Sequence, residues 1–94
     1  MTILRIEHAV PDYEAWKSAF DGDPVSRKEG GVRRHQILRT IADPNYVMID
    51  LEFDAPEPAE AFLSDLRALW SRVEGTIMTS PQARIVEAVE TQEY

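Results

Sequence analysis

Two strand-then-helix units of similar make-up fill the 94-residue chain, and that duplication limits the possible folds more than any other feature. The first runs from an alternating stretch at residues 2–10 into Pro11-Asp12-Tyr13-Glu14-Ala15-Trp16. The second runs from residues 46–53 into Pro56-Glu57-Pro58-Ala59-Glu60-Ala61-Phe62. In both, a strand-like run meets Asp and Pro punctuation, then a helix whose opening turns carry Glu-Ala-aromatic. A further strand-like run follows each helix, giving β-α-β twice over. The pattern predicts a ferredoxin-like βαββαβ unit of the α+β class, with residues 1–94 as one domain. Its four-stranded antiparallel sheet carries two helices on one face.

Period-2 alternation assigns the strand faces. Leu4, Ile6 and His8 point one way, while Ile3, Arg5 and Glu7 point the other. Asp12 is a good N-cap, and Glu14 sits in the first turn, where the helix dipole favours a negative charge. Tyr13, Trp16 and Phe20 then fall at i, i+3 and i+7 as one aromatic stripe. Gly22 interrupts this helix, and Asp23-Pro24 predicts a restart that Gly30-Gly31 ends. Residues 32–41 form the second strand, Asp43-Pro44-Asn45 a turn, and residues 46–53 the third strand. Val47, Ile49, Leu51 and Phe53 share one face of it, with Met48, Asp50 and Glu52 on the other. Asp54 with Glu57 has the spacing of a capping box for the second helix. Ala59, Phe62, Leu63, Leu66, Leu69, Trp70 and Val73 make its apolar stripe. Gly75 stops it, residues 76–81 form a loop, and residues 82–90 form the last strand. Ile85 and Val89 share one face of that strand, Val86 and Ala88 the other.

A sheet covered by helices on one side leaves its other face bare, and a second copy of the chain is the simplest cover, so a homodimer is expected. The formal charge of −7 argues against a nucleic-acid partner. The chain has no cysteine, which excludes disulfide and thiolate chemistry. The N-terminus lacks the basic stretch and apolar run of a signal peptide, and no apolar run nears the ~20 residues that span a bilayer. The expected setting is the cytoplasm, with no membrane partner.

The segments His8-Ala9-Val10-Pro11-Asp12-Tyr13-Glu14-Ala15-Trp16-Lys17, Phe20-Asp21, Arg27, Gly31-Val32, Asp43-Pro44-Asn45, Glu52-Phe53-Asp54 and Ala61-Phe62 resemble the dimeric α+β barrel superfamily. Within it, the chain looks like the branch of small proteins labelled cyclase-like or antibiotic-biosynthesis-monooxygenase-like. The resemblance spans nearly the whole chain. It implies a homodimer whose sheets pack face to face, with a pocket between sheet and helices in each subunit. Such relatives include cofactor-free oxygenases, isomerases, cyclases and haem-handling proteins, so the fold alone selects no reaction. A haem role needs a well-placed axial ligand, and no residue pattern here matches one. No cofactor is expected.

His8 ends the first strand on the apolar face. A neutral imidazole there can take a proton from a phenol or an activated carbon acid. Its structural alternative is a half-buried histidine bonded to backbone. His35 shares a face with Arg33, Ile37 and Arg39, and joins His8 only if both meet one cavity. The two histidines lack metal-ligand spacing, and no metal is expected. Tyr13, Trp16, Phe20, Phe62 and Trp70 are candidate walls for a flat substrate, or plain core. Arg5 and Glu7 face Asp50 and Glu52 across neighbouring strands, either as cross-strand ion pairs or as a polar barrel interior. Arg33-Arg34 with Arg39 could bind an anion, but adjacent strand residues point opposite ways, so the doublet is no single patch. The reading is a small cofactor-independent oxygenase, isomerase or cyclase for an aromatic or polyketide-like compound, with His8 moving the proton. The alternative is a non-catalytic dimeric binding or accessory protein, which a side-chain-filled interior would favour.

Overall fold

Alternation decides the sheet. In the computed structural model, which describes residues 1–73 and 78–94, β1 (Thr2–Ala9) lies between two antiparallel partners. Those partners are β3 (Tyr46–Phe53) and β4 (Thr79–Glu87). β2 (Arg34–Arg39) pairs outside β3, so the order is β2-β3-β1-β4. With α1 (Tyr13–Asp21) and α2 (Pro56–Val73) the chain runs βαββαβ, the ferredoxin-like arrangement. Leu4, Ile6, Val47, Ile49, Leu51 and Phe53 are all buried on one face, as their alternation requires.

α1 begins as the sequence predicts. Asp12 has the extended backbone of an N-cap and accepts from Ala15 N–H at 3.1 Å. Asn45 fixes where the helix starts: its side-chain oxygen accepts from Tyr13 N–H (3.2 Å) and its carbonyl from Val10 N–H (2.8 Å). The turn that holds Asn45 is itself braced. Thr40 Oγ1 donates to Asp43 O (2.6 Å), and Asn45 N–H donates to Asp43 Oδ1 (3.0 Å).

Four expectations change. The restart after Gly22 is a run of turns, not a helix. Asp23 has φ +52° and Ser26 φ +55°, whereas an N-cap needs extended backbone. Asp23 still accepts from Arg27 N–H at 2.8 Å, so the capping bond closes a turn instead. Asp54 stands two residues ahead of α2 and receives Arg33 Nε–H at 2.9 Å; Pro56 takes the first helical position, which its fixed φ suits. β4 starts at Thr79, inside the expected loop, and ends at Glu87, so Val89 lies outside it and is exposed. β2 is likewise shorter than the 32–41 run. The stop assigned to Gly75 lies outside the described residues.

Gly30 and Gly31 are needed where the turns meet α2. A Cβ on Gly30 would lie 2.5 Å from Phe62 Cδ1, closer than atoms approach, and Gly31 has φ +98°. The two helices cover the sheet differently. α2 rests on β1, β3 and β4, while no Cα of α1 comes within 8 Å of another strand or helix. Large side chains, Trp16 above all, fill part of the gap beneath α1.

Candidate functional site

The rest of that gap is a cavity of about 270 Å³, just below the ~300 Å³ at which small-molecule sites usually begin. It suits one or two fused rings rather than a long polycycle. Trp16 and Phe20 of α1, Leu66 and Trp70 of α2, and Ile6 and Ile49 of the sheet are among its walls. Its polar lining residues, among those described, are His8, Asp23 and Arg27. The interior is not filled by side chains, which was the condition that favoured a purely structural role.

His8 is placed by an irregularity in the sheet. Between the pairs Glu7↔Gln82 and Ala9↔Thr79, β1 contributes one residue and β4 two, Ser80 and Pro81. That is a β-bulge opposite His8, and Ser80 has φ +51°. Bulges re-aim neighbouring side chains and recur beside active sites. Proline has no ladder donor, which an edge strand tolerates.

His8 is 2 % exposed, and its ring meets Trp16 edge-on, with centroids 5.7 Å apart. Burial pulls its pKa below the ordinary 6.5, with a weaker upward pull from the Ala9 carbonyl, so the imidazole is neutral at pH 7. Nδ1 lies 3.3 Å from Ala9 O. A carbonyl can only accept, so this contact requires the proton on Nδ1 and leaves Nε2 with its lone pair. No buried side-chain nitrogen or oxygen among the described residues lacks a partner. Nε2, which has no hydrogen-bond partner among the described residues, therefore keeps some accessible surface.

The sequence-predicted residues divide. His8, Trp16, Phe20, Phe62 and Trp70 line the cavity; Tyr13 and His35 do not. Tyr13 packs on Trp16 at 5.9 Å and carries the Arg39 guanidinium 4.2 Å over its ring. His35 has the right parity, since it pairs with Leu51 on the helix-facing side. It sits on edge strand β2 and meets Phe20 edge-on at 5.2 Å, with Phe20 between it and the space. Desolvation, then Arg27 and Lys17, lower its pKa.

Arg27 and Asp23 are the polar lining residues that site reasoning from sequence missed; Arg27 is the cationic one. It sits in the turn segment, where no periodicity marks a face. The arginine doublet is spent elsewhere: Arg33 pairs with Asp54 (2.8 Å) and Arg34 Nε–H donates to Glu52 (2.6 Å). The Arg5 guanidinium forks onto Asp50 at 2.9 and 2.8 Å, making this the cross-strand ion pair of the two readings. Among the described residues, no group of three or more His, Asp or Glu is arranged to hold a metal, and no helix is long and apolar enough to cross a membrane.

The sequence matches no known family profile and no curated protein. Solved structures do match. A candidate antibiotic biosynthesis monooxygenase from Deinococcus radiodurans aligns with TM-score 0.72 at 14% identity, over 100% of this chain and 98% of that one. A variant of SnoaB, a cofactor-independent oxygenase from Streptomyces nogalater, gives 0.66 at 20% identity, over 96% and 94%. A dimeric ferredoxin-like protein from an uncultured marine organism gives 0.65 at 9% identity, over 100% of both chains. This chain has their fold. It is the ferredoxin-like fold, shared with structures of the kind to which the sequence resemblance pointed.

Proposed function

We propose that this chain is a cofactor-independent enzyme that removes a proton from a small aromatic or polyketide-like compound held between its sheet and helices. The observation that carries this is the chemistry of His8: a neutral imidazole at the wall of an apolar cavity, with Nδ1 turned to a backbone carbonyl. In that state Nε2 accepts a proton from a phenol or an activated carbon acid. Trp16, Phe20 and Trp70 hold the ring system, with Tyr13 and His35 supporting Trp16 and Phe20 from behind. Oxygenation, isomerisation and cyclisation all begin with this step. Oxygenation takes its oxygen atoms from dioxygen, and the fold shared with a cofactor-independent oxygenase makes it the first to test. All 94 residues act as one unit, and two copies pair through the open sheet faces; that a ferredoxin-like neighbour is dimeric supports the pairing.

The test is dioxygen uptake with hydroxynaphthalenes and related phenols, comparing the wild type with His8→Ala. Loss of a general base lowers turnover roughly 10²–10⁴-fold. Equal turnover in the two proteins removes His8 from the mechanism. Binding of phenols with no product under air or nitrogen identifies a binding protein instead.

A further inference from the structure

Arg27 joins His8 among the polar residues that line the cavity. From His8 the wall runs through Trp16 (5.7 Å) to Phe20 (a further 5.3 Å between centroids), and the Arg27 guanidinium lies 3.9 Å over the Phe20 ring. The side chains along that path, Trp16 and Phe20, are aromatic. We infer that Arg27 is the second recognition group of this cavity, and that its ligand is a hydroxyaryl carboxylate whose carboxylate lies at the end remote from His8. The inference rests on the reading that the cavity holds a ligand, and adds which ligand chemistry it selects.

Arg27 is held ready and under-used. Its side chain is 19 % exposed. Nη1 donates to Phe20 O at 2.8 Å, which with the ring contact fixes the guanidinium plane. The facing acid is Asp23, whose Oδ1 lies 3.6 Å from Nη1, too far for a hydrogen bond, and already accepts from the Arg27 backbone N–H. One of the five guanidinium N–H donors is therefore committed to protein. A half-buried guanidinium whose other donors have no protein partner among the described residues favours an oxygen acceptor, and its planar fork matches a carboxylate better than any point charge does. Because the guanidinium is already oriented, little freedom is lost on binding. Asp23 works against this preference and sets its size.

The experiment compares 2-naphthol with 6-hydroxy-2-naphthoate, which carries its carboxylate across the ring system from the hydroxyl, by fluorescence titration. The wild type is expected to bind the hydroxynaphthoate roughly tenfold or more tightly, as a charge-assisted hydrogen bond implies. Arg27→Met brings the ratio of the two affinities to about one, Arg27→Lys keeps part of it, and Asp23→Asn raises it. The wild-type ratio needs no variant to fold. A wild-type ratio near one while 2-naphthol binds overturns the inference and leaves the cavity reading standing. A ratio unchanged in Arg27→Met also overturns it. If neither probe binds folded wild-type protein, the inference and the cavity reading fall together.

Discussion

The two faces of the sheet are built from the same strands by opposite rules. The helix-facing side presents Leu4, Ile6, Val47, Ile49, Leu51 and Phe53, and its one titratable side chain on the central strands β1 and β3 is His8, kept neutral by burial. The open side presents Arg5, Arg34 and Arg84 against Glu7, Asp50 and Glu52. It joins most of them directly: Arg5 to Asp50, Arg34 to Glu52, and Tyr46 Oη–H to Glu7 at 2.9 Å. One face is specified by exclusion of water, the other by pairing of charge. The comparison teaches where chemistry can happen. Most charges of the open face are already joined to one another, whereas the lone imidazole in the apolar wall has a ring nitrogen left to accept a proton.

The sharpest way to break this contrast is to damage the apolar face. Phe53 is fully buried, 5.7 Å from the Phe62 ring. Phe53→Ala is expected to lower stability by about 3–5 kcal/mol, read by chemical denaturation. If that loss is no larger than the loss of an open-face ion pair, the energetic half of the comparison fails. A smaller effect is expected where the turns press on α2. Gly30→Ala forces a methyl group to within 2.5 Å of Phe62, an overpacking worth about 1–3 kcal/mol. It also pushes Phe62 toward the cavity, so the affinity for 2-naphthol should fall with the stability. Unchanged affinity would mean that Phe62 does not shape the site.

How much of this could be read from sequence follows from the same contrast. Alternation names the apolar face residue by residue, because burial enforces period 2; Val47, Ile49, Leu51 and Phe53 needed nothing more. The Asp12 cap and the Arg5–Asp50 pair were equally legible, since both depend on short-range geometry. The cavity was not. Trp16, Phe20 and Trp70 lie on stripes that look the same whether the interior is filled or hollow, and only the distance of α1 from the sheet decides which. Parity placed His35 on the correct face but said nothing about Phe20 standing between it and the space. Asp23-Pro24 misled because its signal is shared by helix starts and turns, and the positive φ at Asp23 chose the turn. Arg27 follows in that same irregular segment, where spacing carries no information.

Acid tests the neutral state of His8. Its folded pKa is depressed below the unfolded 6.5, so the neutral form favours the fold. The stabilisation is fully present above pH 6.5 and is lost as the pH falls through 6.5 toward the folded pKa. One such group contributes a slope of at most about 1.4 kcal/mol per pH unit. His35 shifts the same way, so the two must be removed separately. His8→Gln is expected to flatten the fall in stability just below pH 6.5, and His35→Gln to flatten it less. Under the proposed function, turnover should be level above pH 6.5 and decline below it, with the midpoint under histidine's ordinary value. A midpoint above 6.5 would mean that the imidazole is not held neutral by its surroundings.

The smallest effect belongs to the open face. Arg34 lies on edge strand β2 with its side chain 73 % exposed, bonded to Glu52. In dilute protein Arg34→Gln should cost under about 1 kcal/mol, because solvent screens an exposed pair and entropy opposes it. The outcome in concentrated protein is the informative one. If a second copy covers this face, Glu52 loses both its partner and its water, and breaking a buried pair leaves an uncompensated charge that water cannot solvate. The cost of Arg34→Gln should then grow with protein concentration, together with weaker self-association by sedimentation. A cost that stays small and constant at every concentration would mean that the ion pairs of the open face meet water, and that the faces differ in composition without differing in what covers them.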